Sequence, residues 1–153
     1  MRGRRRKRSL GRELAKGAVA GAIATAAMDI ATRLLREQED PKTRRREQRA
    51  GGGMAVEAAA RPAPARALHW ALGIGAGAVY AALRPRFAGF DLGRGLGFGT
   101  GFWLVVDETV TPLLGMSGTP GAFPWQTHVR GFAGHLIFGA ITDSTLDALD
   151  RVL

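Results

Sequence analysis

Asp29, His69, the adjacent acids Asp107 and Glu108, His128 and His135 all sit in or beside apolar stretches of this 153-residue chain. Imidazole changes charge between about pH 5 and 8, and a carboxylate held against it favours its charged form. These residues are therefore the candidates for a protonatable or cation-binding site. An ionisable group at the centre of a bilayer costs about 2.5 to 3.5 kcal/mol on insertion scales, which makes each a functional hypothesis by default.

Other chemistries find less support. Imidazole and carboxylate from His128, His135, Asp107 and Glu108 would suit zinc or manganese, but no tight ligand spacing accompanies them. A bis-histidine haem between His69 and His135 has no second signal. The chain has no cysteine, which removes disulfides, thiolate metal sites and thiol nucleophiles. There is no nucleophile elbow, phosphate loop or HExxH, and the glycine-rich run at 93–101 does not follow a strand. No catalytic motif is recognisable, and neither a metal nor a cofactor is expected.

The elements that must position these groups are four apolar segments, at about 14–35, 67–83, 92–116 and 128–149. A helix crossing about 30 Å of hydrocarbon needs roughly 20 residues, with about 17 as a lower limit. The expected fold is all-α: an integral membrane four-helix bundle, with a disordered basic arm at 1–13 and a disordered linker at 36–66. A signal peptide is the rival for the first segment, because basic residues precede an apolar stretch containing Ala24, Thr25 and Ala26. A short amphipathic helix around Met54 to Ala60 is an alternative within the linker.

Small residues four apart mark helix contact faces in lipid. Gly17 and Gly21, Gly73 and Gly77, Gly97 and Gly101, and Gly131 and Gly139 are such pairs or stripes. At 3.6 residues per turn His69 shares the face of Gly73, Gly77 and Tyr80. Glu108 falls on the stripe of Gly97 and Gly101, and His135 on that of Gly131, Gly139 and His128. Consecutive helices alternate in direction, so a late Asp29, an early His69, late Asp107 and Glu108, and early His128 and His135 all fall in one half of the bilayer. Pro112 cannot donate to the carbonyl of Glu108, which predicts a helix break with a loose acceptor beside the acids. The competing placements put Asp29 against Arg33 at the membrane surface, and Asp107 and Glu108 among headgroups with helix three ending at Val106.

All but Arg84, Arg86, Arg94, Arg130 and Arg151 of the 22 Lys and Arg residues precede residue 67, and the net charge is +9. The N-terminal cluster runs straight into an apolar segment. This points to anionic lipid at the basic arm, and no nucleic acid is expected. The denser cluster before helix one sets the N-terminus on the cytoplasmic side. Four short helices supply few surfaces to enclose a polar cluster, which points to a homo-oligomer.

The blocks GAVAGAIATAAMD, HWALGIGAGAVYAAL, GFWLVVDETVTPLLGMS and FPWQTHVRGFAGHLIFGAITD together resemble the YagU-like family of small bacterial inner-membrane proteins, a domain of unknown function. The likeness spans about residues 14–146. Its most specific part is the acidic pair followed by Pro-Leu-Leu-Gly, with a Thr-His step and a second histidine one heptad on. Those features fall on Asp107, Glu108, Pro112, Gly115, Thr127, His128 and His135. The resemblance implies a multi-pass protein of the bacterial cytoplasmic membrane and carries no activity. Two functions follow as expectations: a membrane protein with a buried protonatable or cation-binding cluster, or a structural or accessory subunit that holds anionic lipid or a protein partner.

Overall fold

The computed structural model describes residues 9–50, 63–87 and 93–152, and among these every regular element is helical. Helix α1, Leu10–Glu37, starts at Ser9, whose hydroxyl accepts the Arg12 N–H at 3.4 Å. A serine there satisfies one of the free N–H groups of a helix start. Gly17, Ala20, Gly21, Ala24, Thr25 and Met28 form its buried face, spaced three and four apart. Leu14, Val19, Ile23, Ile30 and Leu34 point outward.

Helix α3, Ala63–Leu83, buries His69, Gly73, Gly77, Tyr80 and Ala81 against α1. The two cross where both lack side chains. A Cβ on Gly17 would strike the Gly77 carbonyl and the Ala78 Cα, and one on Gly77 would strike the backbone of Gly17 and Gly21. Helix α6, Trp125–Val152, packs on α1 and on α4, Leu96–Val105. Gly93, Arg94 and Gly95 all have positive φ (63°, 58° and 86°), which turns the chain into α4 and seats the Gly95 backbone on that of Gly139.

The third helix departs from its expected course. It begins at Leu96, with Leu92 outside the described residues, and Gly97 and Gly101 are exposed, with open space beside Gly101. Gly95 and Gly99 make the contact instead, against Gly139 and His135. Pro112 does not break the helix. A π-helical turn, Val106–Val110, joins α4 to α5, Thr111–Leu113. In a π turn each N–H reaches five residues back. The Thr111 N–H does so to Val106. Proline cannot follow suit to Asp107, and the Thr111 hydroxyl donates to that carbonyl at 2.9 Å. The extra residue moves the inward stripe on by one: Gly95, Gly99, Phe102 and Val106 are followed by buried Thr111, while Val110 is exposed. A constant 3.6 period puts Glu108 on the Gly97–Gly101 face, and the π turn interrupts that period.

The expected linker is also corrected in part. Helix α2, Pro41–Arg49, occupies its first half and buries Thr43 and Glu47, while residues 51–62, with the alternative helix around Met54, lie outside the described residues. Residues 1–8 of the basic arm lie outside them too, but α1 already runs from Leu10. Asp40 caps α2, with Thr43 Oγ1 donating to it at 2.6 Å and the Lys42 and Thr43 N–H groups at 2.8 and 3.0 Å. The Thr43 hydroxyl first, and the Thr43 N–H next, hold its carboxyl below the ordinary value. A depressed carboxyl contributes stability that is complete above the unfolded value and lost as pH falls through the folded one. Amide protection in the first turn of α2, measured relative to intrinsic exchange, should therefore fall on acidification through that window, and Asp40→Asn should flatten the dependence.

By length and composition α1 is the one helix among the described residues able to cross a membrane unaided. The four-span bundle is thus shown only as an all-helical fold with one candidate span. The reason lies in the other helices. The third is divided by the π turn carrying Asp107 and Glu108, and α6 contains Arg130, His135, Asp143, Asp147 and Asp150.

Candidate functional site

The alternation of helix direction brings the six candidate groups together as three pairs. His69 Nε2 lies 2.8 Å from Asp29 Oδ1, and His128 Nδ1 lies 2.6 Å from Glu108 Oε1. His135 Nδ1 is 3.7 Å from Asp107 Oδ2, beyond hydrogen-bond range, and 2.9 Å from the Gly131 carbonyl. Arg33, the alternative partner of Asp29, is exposed.

Carbonyl oxygens fix two tautomers, because a carbonyl can only accept. His135 must carry its proton on Nδ1 to donate to Gly131, which makes Nε2 the acceptor of the neutral ring. The Phe102 ring stands edge-on to this imidazole, with centroids 5.2 Å apart. His128 Nε2 lies 3.0 Å from the Pro120 carbonyl and must be protonated. Its Nδ1 then stands against the Glu108 carboxyl at 2.6 Å.

Two clefts meet at Asp107. One, ≈ 40 Å³, lies between the π turn and the start of α6, lined by Asp107, Glu108, Thr111, Ser117, Thr127 and His128 among others. The second, ≈ 30 Å³, is shared by α1, α3, α4 and α6 and lined by Thr25, His69, Gly73, Phe102, Asp107 and His135 among others. A water needs roughly 10 to 15 Å³ measured this way, so each cleft suits a few waters or an ion and no organic substrate. Gly131 and Gly73 keep these spaces open: a Cβ on Gly131 would sit 3.5 Å from Asp107 Oδ2, and one on Gly73 would strike the Thr25 hydroxyl. Gly139, also expected in a packing face, is used against Gly95.

Two arginine networks were not foreseen. At the same end as the clefts, Arg130 reaches Glu39 and Glu47, and Arg36 Nε reaches Glu47 at 3.4 Å. Their only sequence signal was two opposite charges in segments assigned to linker and to helix. At the far end Arg84 binds Asp143 and Asp147 at 3.1 Å and Asp150 at 2.7 Å, Lys16 binds Asp150 at 2.6 Å, and the Tyr80 hydroxyl donates to Asp143 at 2.8 Å. Burial works against the Arg84 charge, yet the bond to Asp143 and the charges of Asp150 and Asp143 outweigh it and raise its pKa above the ordinary value. Between the two polar layers lies an aromatic one, in which Phe98, Phe102 and Phe138 pack within 5.4 to 6.3 Å of each other and Tyr80 lies 4.6 Å from Phe98.

Among the described residues no three His, Asp or Glu side chains converge as a metal site. The chain matches no family model, no curated protein and no solved structure.

Proposed function

We propose that the protein is a multi-pass helical bundle of the bacterial cytoplasmic membrane, its N-terminus cytoplasmic, in which the histidine–carboxylate pairs take up and pass protons. The observation that carries the proton reading is Asp107, which lines both clefts and so links His128 and Glu108, near the surface, to His135 and His69 inside.

Membrane insertion is supported by the large apolar side chains on the surface. The interior combines Tyr80, Phe138 and Leu146 with the small Ala20, Ala24, Ala81, Thr25 and Thr142 and with paired charges, while Leu104, Val105, Leu113, Leu114 and Trp125 are exposed, Leu113 by 79% and Trp125 by 68%. In water such a surface is a liability, whereas in lipid helices associate through small residues and hydrogen bonds and turn large apolar side chains outward. Membership of the YagU-like family is part of the same proposal. The residues that carry the resemblance support it, because Asp107, Glu108, Pro112, Thr127 and His128 line one cleft. A homo-oligomer also belongs to it, with Gly97 and Gly101 facing outward side by side.

Proteoliposomes carrying the purified protein should take up protons under an imposed gradient. The double variant Glu108→Gln with His135→Gln should fall to the rate of empty vesicles, and an unchanged rate would sink the proposal. A second reading, a structural or accessory subunit, is favoured by the arginine networks, which sit at the helix ends and join them. It predicts that vesicles with and without the wild-type protein leak protons equally.

A further inference from the structure

We infer that the outward face of α2 docks on anionic phospholipid headgroups through Lys42, Arg45, Arg46 and Arg49. This rests on the membrane reading of the bundle and adds to it a lipid class and a place.

Spacing puts the four cations on one face. Counted from Lys42 they follow the i, i+3, i+4, i+7 pattern, which shares one side of a helix at 3.6 residues per turn. All four are exposed, while Thr43 and Glu47 form the buried side of the same helix. The single acid within α2 is Glu47, and Arg36 and Arg130 take it up. None of the four cations is in a salt bridge among the described residues. Asp40, just before the helix, is committed to capping it. The stripe therefore presents four positive charges and no acid.

Position selects lipid over other acidic partners. Only Gln38, Glu39 and Asp40 separate α2 from α1, the one helix among the described residues long and apolar enough to cross a membrane. Leu34 and Leu35, in the last turn of α1, are exposed, so the apolar surface reaches almost to α2. Trp125, 68% exposed, opens α6 at this same end, and tryptophan favours the boundary between hydrocarbon and headgroups. α2 is also held in place. Arg36 and Arg130 fix Glu47, and a Cβ on Gly118, in the loop before α6, would strike the Ala50 carbonyl. A basic stripe fixed at headgroup level beside a membrane-spanning helix meets anionic lipid in the plane of the bilayer. The start of α1, where the N-terminal basic arm joins, is about 40 Å away along a 28-residue helix, at the opposite surface.

The test uses the full chain in phosphatidylcholine vesicles in which brominated phosphatidylglycerol or brominated phosphatidylcholine replaces part of the lipid. Quenching of tryptophan fluorescence gives the relative association of the two headgroups. The probes are local: Trp70 follows His69, which pairs with Asp29, Trp103 lies against Gly131, and Trp125 opens α6, so all three are on the α2 side of the bundle. Wild type should prefer phosphatidylglycerol by at least about fivefold, the factor that one lysine or arginine near an anionic surface supplies. The quadruple variant Lys42→Gln, Arg45→Gln, Arg46→Gln and Arg49→Gln should approach equal association. Its thermal midpoint should stay that of wild type, because these exposed side chains tie nothing to the bundle. Arg86→Gln with Arg151→Gln, exposed at the other end, should keep the preference. In wild type, 1 M salt should erase it, since the screening length there is about 3 Å. A wild-type ratio near one, or a quadruple variant that keeps the wild-type ratio, overturns the inference. A ratio near one together with binding of soluble polyglutamate would assign the stripe to an acidic protein instead. Retention of wild type in pure phosphatidylcholine vesicles after an alkaline carbonate wash reads membrane insertion separately, so failure of the lipid preference and failure of the membrane reading are distinguishable.

Discussion

Replacing Arg130 with methionine is expected to destabilise the protein by about 3 to 5 kcal/mol, the range seen when one partner of a buried ion pair is removed. The Arg130 side chain is 2% exposed and holds Glu47, 0% exposed, together with Glu39. Arg36, Arg130, Glu39 and Glu47 balance as two cations and two anions, and removal of Arg130 leaves an excess anion that cannot reach water. The penalty comes from the stranded Glu47 more than from a lost attraction. The double variant Arg130→Met with Glu47→Met should therefore be less damaged than the sum of the single variants, by a coupling that chemical unfolding in detergent can measure. Arg130→Lys keeps the charge but loses the planar fork that serves two carboxylates, and should fall between wild type and methionine. If Arg130→Met unfolds like wild type, α2 does not dock against the bundle and the segment behaves as the loose linker its composition suggests.

That expectation of looseness had a physical origin. The KTRRREQR run has few apolar residues and many charges, and such a segment cannot offset its ordering entropy by burying hydrocarbon. Here order comes from another source. Asp40 caps the helix and Glu47 is fixed by arginines 11 residues before it and 83 after it, a pairing without local periodicity. The common level of the histidines and carboxylates was legible for the opposite reason. The alternation of helix direction puts Asp29 beside the depth of His69 and Glu108 beside that of His128, but it names no pair, and the 3.6 period gives Glu108 the wrong face once the π turn interrupts it. The same period misplaced the contact face of the third helix. Gly97 and Gly101 have the right spacing, and so do Gly95 and Gly99; the choice between them depends on the phase of α4 against α6, which spacing leaves free. The Arg84 network at the far end escaped for a related reason, since Asp143, Asp147 and Asp150 read as an ordinary polar helix end until α3 is set beside them.

Among the glycines that do make contact, Gly77 offers the sharpest test, because Gly75 lies two residues away on the same helix. The Cβ of Gly77→Ala would meet backbone atoms of Gly17 and Gly21, whereas that of Gly75→Ala would meet nothing within 4 Å. Backbone cannot rotate out of the way as a side-chain end can, so α1 and α3 must separate. Overpacking in a well-packed core costs about 1 to 3 kcal/mol, and this substitution should reach at least the top of that range. Gly75→Ala should instead leave stability unchanged or raise it by about 0.5 to 1 kcal/mol, the helix preference of alanine over glycine. Separation of α1 and α3 also pulls Asp29 away from His69, whose contact spans that interface at 2.8 Å. Gly77→Ala should therefore lose proton uptake along with stability while Gly75→Ala keeps both, and equal behaviour of the two variants would mean that the helices do not meet at their glycines.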